Sequence, residues 1–428
     1  MSRIALILVL FAAVVCAPSS AAGPLQFQHG GQGAAQVGAF VARAAGPASV
    51  TYNPAAIAGL EGWQFQAGLD FTAPRDDYES ASGAFAQDHL ITEAPAIYAT
   101  YHLPEDRYPF VFGLGVENEA WYLADWMPVL FPGRYLTRRE ELVLWSVHPV
   151  VAYQLGERWS AGAGVRYYVG KLGEGNDQRL AVSGQGGQLY QVEVNREARA
   201  SIDGFGFDVG LHYSREAWGW GLVADSGAEL KGSGRVRYEA RDVPTDPVLQ
   251  ARLEALLASG STRQAFDLPW ELRSGWWVAP YPELRLELDL AWMGWSVVDE
   301  TVIAYEPNPF TGGVGGTERR ERNWDDTLSV RLGVEGDLTE RWGLSGGLAW
   351  EPSPVPAATL EPGFARGDAW VAGLGMRYHL EHVSFDLGYS HFAYEDQRAG
   401  GQELDLPNRS GTYESRERVW AFSVSWRR

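Results

Sequence analysis

Few residues in this 428-residue chain could do covalent or metal chemistry. His379 and His382 form an H-x-x-H, a spacing by which two imidazoles can share a metal. They flank an expected short turn, however, and bring no third ligand. Ser390 and His391 are neighbours on an expected strand. Successive strand side chains point to opposite faces, so these two cannot form a nucleophile–base dyad. The only cysteine, Cys16, lies in an apolar N-terminal run. No catalytic residue, no metal site and no cofactor is expected. The chemistry left to this chain is recognition by apolar surfaces and a few charges.

The elements that would hold such surfaces are strands with one apolar and one polar face. In Leu284–Trp292, residues Leu284, Leu286, Leu288, Leu290 and Trp292 take one face, and Arg285, Glu287 and Asp289 the other. Arg331 and Asp386 sit in the same way among Leu, Val, Phe and Tyr neighbours. Apolar outside and polar inside is the pattern of a transmembrane β-barrel with a wet interior. The fold class is therefore all-β, a transmembrane antiparallel barrel. Fifty glycines and 13% aromatic residues suit close strand packing with Trp and Tyr at the lipid interface.

Fourteen strands are expected. They run over 63–72, 94–103, 108–117, 141–154, 158–171, 203–214 and 217–231. The rest run over 264–279, 283–297, 326–336, 340–350, 368–379, 383–394 and 416–426. Six short links, such as Gly156-Glu157 and Pro280–Pro282, alternate with seven long polar ones. Short periplasmic turns and long external loops are the barrel habit, and an even count leaves both termini periplasmic. Pro269 cannot donate to a ladder, so a bulge or break is expected there. The last strand puts Trp420, Phe422, Val424 and Trp426 on one face, with Arg427 and Arg428 after the final aromatic.

Residues 1–22 read as a secretory signal peptide, with Arg3, the apolar Ile4–Val15 and a small-residue site at Ser20-Ala21-Ala22. Removing Arg3 takes the formal net charge from −19 to −20. That sign disfavours nucleic acid as a partner. Residues 23–62 do not alternate and lead into Asn53-Pro54-Ala55, a turn or helix start. Ile57, Leu60 and Trp63 want burial, so this segment is expected to fold back as a plug in the lumen of a barrel formed by 63–428.

Here the chain resembles the long-chain fatty-acid transporter (FadL/TodX) family of outer-membrane proteins. Asn53-Pro54-Ala55 looks like the family's plug motif. Two later stretches, Phe266–Gly275 continuing to Trp292–Ser296, and Gly347–Pro356, resemble it too. The resemblance implies uptake of a long-chain fatty acid or similar hydrophobic molecule by an outer-membrane monomer in contact with lipid. In the family, ligand lands on an apolar groove of external loops and enters a pocket beside the plug. It leaves sideways at a kink in the third strand.

Several residues fit those roles. Trp121, Tyr122, Trp126, Met127 and Phe131 make one external loop too greasy for solvent, a candidate capture surface or a loop folded onto the rim. Leu249, Leu253, Leu256 and Leu257 recur at helical spacing within 246–259, either a second wall of that groove or a helix packed on the rim. Lys171, where the family tends to carry a basic residue, is the headgroup candidate or a rim charge. Asp325 stands where the family can place a lysine, which leaves room for an uncharged hydrocarbon. Gly113, Gly115 and Asn118 on the third strand could bend it into a lateral gate, or simply pack. The alternatives are an outer-membrane hydrolase or a passive structural barrel, the latter lacking both plug and greasy loops.

Overall fold

The computed structural model describes residues 25, 28–44, 46–88, 90–103, 109–126, 130–311, 315–399 and 411–428. The expected signal peptide and Met127 lie outside these residues. Fourteen antiparallel strands close into a barrel. The first, Trp63–Ser80, pairs with the last, Gly411–Arg427, from Gln64↔Arg427 to Ser80↔Gly411. Closure removes the free edges of an open sheet, whose unpaired backbone groups would be costly against hydrocarbon.

The second to sixth strands are Thr92–His102, Phe110–Asp125, Arg139–Gln154, Trp159–Ser183 and Leu189–Ser214. The seventh runs as Trp218–Asp225 and Ala228–Arg241, the eighth as Gly260–Leu268 and Trp270–Tyr281. The eighth breaks at Pro269, as its missing N–H requires. Gly227, at φ +65°, lies against it in the seventh. Leu284–Gly294, Thr327–Asp337, Trp342–Glu351, Ala369–His379 and Val383–Tyr394 complete the ring.

The faces sort as the alternation predicts. Leu288, Trp292, Leu332, Leu387 and Phe422 are exposed on the outer face, while Glu287, Asp289, Arg331 and Asp386 are buried inside. Several strands outrun their expected lengths on the loop side. The fifth and sixth continue as one long hairpin through Ser183 and Leu189. There Val192, Val194, Ala198 and Ala200 still point inward, but Glu193, Asn195, Glu197 and Arg199 replace apolar residues on the alternate positions. Beyond the lipid, neither face need be uniformly apolar, so the apolar alternation that marks a membrane strand ends before the strand does.

Residues 28–60 fold into two short helices, Gly30–Ala35 (α1) and Ser49–Tyr52 (α2), and a 3-10 turn at Ala56–Gly59. Nearly all of this segment is buried. α1 contacts the first and the eleventh to fourteenth strands, and the Ala56–Gly59 turn contacts the third to sixth. The segment thus meets opposite sides of the ring.

Candidate functional site

The N-terminal segment is held by polar groups on the inner faces of the strands. Gly30 N–H donates to Asp70, and Gln32 Nε2 to Asp386 Oδ1 at 3.0 Å. Val41 N–H donates to Asp289 at 3.0 Å and Ala42 N–H to Glu287 at 2.7 Å. Arg43 then bridges Glu287 at 2.5 Å and Glu335 at 2.8 Å. Asn53 donates its side-chain amide to the carbonyls of Val41 and Leu211, and accepts from Ala55 N–H. Ser160 Oγ donates to Ala55 C=O at 2.8 Å. Gly162 and Gly210 let Asn53-Pro54-Ala55 come this close: a Cβ on Gly162 would lie 2.4 Å from Pro54 C, and one on Gly210 2.3 Å from Asn53 Oδ1. The motif is a dock against the fifth and sixth strands.

Beside the segment is a cavity of about 80 Å³ lined by Leu25, His29, Tyr52, Glu119, Arg166, Tyr168, Leu268, Arg273 and Met293, among others. Its apolar wall continues into a buried cluster on the loop side. Tyr168 and Leu268 belong to that cluster, and Met293 packs against it. Trp295, Trp324, Phe364 and Tyr122 form its aromatic chain, with ring centroids 5.2 Å apart at each step. The cations here are already matched: Arg166 with Glu119 at 3.0 Å, Arg273 with Glu271 at 3.1 Å and Arg331 with Glu351 at 2.7 Å. On the short-turn side of the segment the lumen opens into a polar mouth of about 1860 Å³.

Lys171 is not among these cations. It is exposed and shares the outer face with Val165, Tyr167 and Val169. The inward basic residue of the same strand is Arg166, which strand parity alone could have found.

The third strand carries an irregularity, though not at its glycines. Gly113 and Gly115 are regularly paired to both neighbouring strands. They make room for the N-terminal segment: a Cβ on Gly113 would lie 2.7 Å from Val50 and 2.9 Å from Ile57. The ladder to the second strand stops at Ile97↔Val116. Past that point Thr92–Ala96 pair only with the first strand, and Glu117–Asp125 only with the fourth, among the described residues. A bulge at Glu119 follows. Asn118 bridges it, donating to the carbonyls of Ala120 and Leu144. Of the three proposed gate residues, Asn118 alone sits at the break.

Two aromatics of the greasy loop are folded inward. Trp126 and Phe131 are completely buried and stack at 4.5 Å, against Tyr78 and Tyr413. Tyr122 donates to Gly363 C=O, and Trp126 Nε1 to Pro362 C=O. Trp121 faces outward and Leu130 is exposed. The leucine helix, Pro247–Leu256 (α3), lies as expected. Its Leu249 and Leu253 pack on Leu180, Val182, Val192 and Val194 of the fifth–sixth hairpin, with Leu256 and Leu257 at the margin. That cluster is separate from the one holding Trp126.

The hydrolase residues do not assemble. Ser390 is buried and donates to Gln28. His379 meets Ser384 Oγ at 2.8 Å at the polar mouth, without a carboxylate hydrogen-bonded to its other nitrogen among the described residues.

Comparison with known proteins agrees with this architecture. The family of outer-membrane transport proteins described as OMPP1/FadL/TodX matches residues 12–428. The long-chain fatty acid transport protein of Salmonella typhi is 23% identical over 399 residues, covering 88% of this chain and 87% of that one. That of Escherichia coli strain K12 is 22% identical over 408 residues, with the same coverage. Among solved structures, a Pseudomonas aeruginosa FadL homologue superposes with a TM-score of 0.81 at 16% identity, over 95% of this chain and 99% of that one. The P. putida toluene transporter TodX superposes at 0.72 with 14% identity, over 94% and 99%.

Proposed function

This chain belongs to the OMPP1/FadL/TodX family of outer-membrane transport proteins, and on that premise we propose that it carries hydrophobic molecules inward across the outer membrane as a monomer with periplasmic termini. The N-terminal segment is the plug. Ligand moves from the loops through the aromatic cluster to the cavity beside the plug and leaves through the wall where the second and third strands lose their ladder. The observation that carries this reading is the contiguity of those parts: Tyr168, Leu268 and Met293 join cluster to cavity, and Glu119 joins the cavity to the bulge. A sideways exit avoids the polar mouth, where an apolar solute would be exposed to water at about 25 cal/mol per Å².

The relatives named above include proteins described as fatty acid and toluene transporters. The charge pairing around the cavity favours an uncharged hydrocarbon or a protonated acid here. A carboxylate would have to compete with Glu119, Glu271 and Glu351 for the arginines it needs. Uptake of labelled long-chain fatty acid and of labelled toluene, in cells lacking their own transporters, tests both points. Uptake of the hydrocarbon above the empty-vector level, with weaker fatty-acid uptake at neutral pH, is expected. Uptake of neither would overturn the proposal. Any ligand capture by Trp126 and Phe131 requires their cluster to open first.

A further inference from the structure

At the break in the third strand, Glu117 and Glu119 point inward and are buried. His29 of the N-terminal segment comes to meet them, so that one ligand atom from each lies within 4.8 Å of the other two. The imidazole is 3% exposed, and its Nε2 has no hydrogen-bond partner, although Glu117 Oε2 is only 3.7 Å away. A buried ring nitrogen aimed at two carboxylates and bonded to neither is an unfilled ligand position. We propose that His29 Nε2, Glu117 and Glu119 bind a divalent cation of the zinc class, tying the N-terminal segment to the third strand at its break.

One nitrogen and two carboxylate oxygens are a donor set that Zn²⁺ accepts at about 2.0–2.2 Å, with ligand atoms about 3.4 Å apart in a tetrahedron. Side-chain movements of the order of 1 Å would close the site. The adjoining cavity, which His29 and Glu119 line, offers room for a water as fourth ligand. The supporting bonds are in place: Thr51 and Tyr98 donate to Glu117, and Ser146 and Arg166 to Oε1 of Glu119. Such outer contacts orient carboxylate ligands and tune a metal. Arg166 opposes a cation, and Arg273 and Arg331 also line the adjoining cavity, but Glu117, Glu119, Asp225 and Glu271 together outnumber these three arginines. The cation would bind whether or not the barrel transports anything. Only an effect of the metal on uptake would rest on the transport reading.

The test is Co²⁺ titration of the full chain, purified in detergent and dialysed against chelator. One equivalent should give the visible bands of a four- or five-coordinate site, and Zn²⁺ should displace it. His29→Gln and Glu119→Gln should each weaken binding at least about tenfold, whereas His382→Ala at the exposed turn should not. Variants are scored only if they keep the heat-modifiable mobility of a folded barrel. X-ray absorption of the Zn²⁺-loaded wild-type chain, which needs no variant, should show one nitrogen among oxygen ligands. Absence of a stoichiometric site, or a site unchanged by His29→Gln, would overturn the proposal.

Discussion

Arg43 and Glu287 meet inside the barrel at 2.5 Å, both buried, and this pair pins the N-terminal segment to the ninth strand. Breaking a buried pair leaves one charge without its partner and costs about 3–5 kcal/mol. Arg43→Ala should therefore loosen the segment while the strands remain closed. Higher and noisier single-channel conductance in planar bilayers is expected, with unchanged heat-modifiable mobility on gels. A quiet, wild-type conductance would show that the pair does not hold a plug.

Gly162 and Gly210 give a second, purely steric route to the same end. A side chain at Gly210 would overlap Asn53 Oδ1, so Gly210→Val should displace Asn53-Pro54-Ala55 and resemble deletion of residues 28–60. Both proteins should conduct more than wild type. If the deletion conducts like the intact chain, the segment does not obstruct the lumen.

The proposed wall exit can be clamped. A flexible bismaleimide joining cysteines placed at Ala96 and Asn118 would span the stretch where the ladder is missing and should stop uptake. A disulfide between cysteines at Tyr101 and Phe112, which are already paired, should leave it intact. Full transport with the Ala96–Asn118 link demonstrated by mass spectrometry would exclude this exit.

The loop aromatics should separate by burial. Trp126→Ser and Phe131→Ser each remove a large buried ring, a change that costs about 3–5 kcal/mol in packed cores. They should expose the loop to protease and lower uptake. Trp121→Ser, on the outer face, should leave uptake unaltered. Equal effects from all three would mean that burial is not what matters.

Asp246 caps α3, and its carboxylate accepts from the backbone N–H groups of Gln185, Leu249 and Val248, which hold it below the usual carboxylate range. A depressed folded-state pKa stabilises the capped loop above the unfolded value, and this is lost as pH falls through the folded one. Amide protection at Val248 and Leu249, taken relative to the intrinsic exchange rate at each pH, should fall on acidification below the ordinary Asp pKa. In Asp246→Ala the protection should be low at every pH.

Residue order alone determined the membrane-facing part of the strands and their faces. Lipid on one side and polar lumen on the other impose a two-residue period, so Leu288 and Glu287 declared their directions locally, and Pro269 declared its break. The period says which residues share a face, but it does not name their partners across the lumen. Closure of the ring decided that Gly113 makes room for Val50 and Ile57 rather than bending a strand. It also decided that Trp126 finds Tyr78 and Tyr413 instead of solvent. Parity alone puts Arg166 inside and Lys171 outside, but that Arg166 meets Glu119 at the cavity was settled only by the closed ring. Glu117 and Glu119 lie two apart on one strand, but His29 is far from them in sequence, and only the return of the N-terminal segment into the lumen brings it to them.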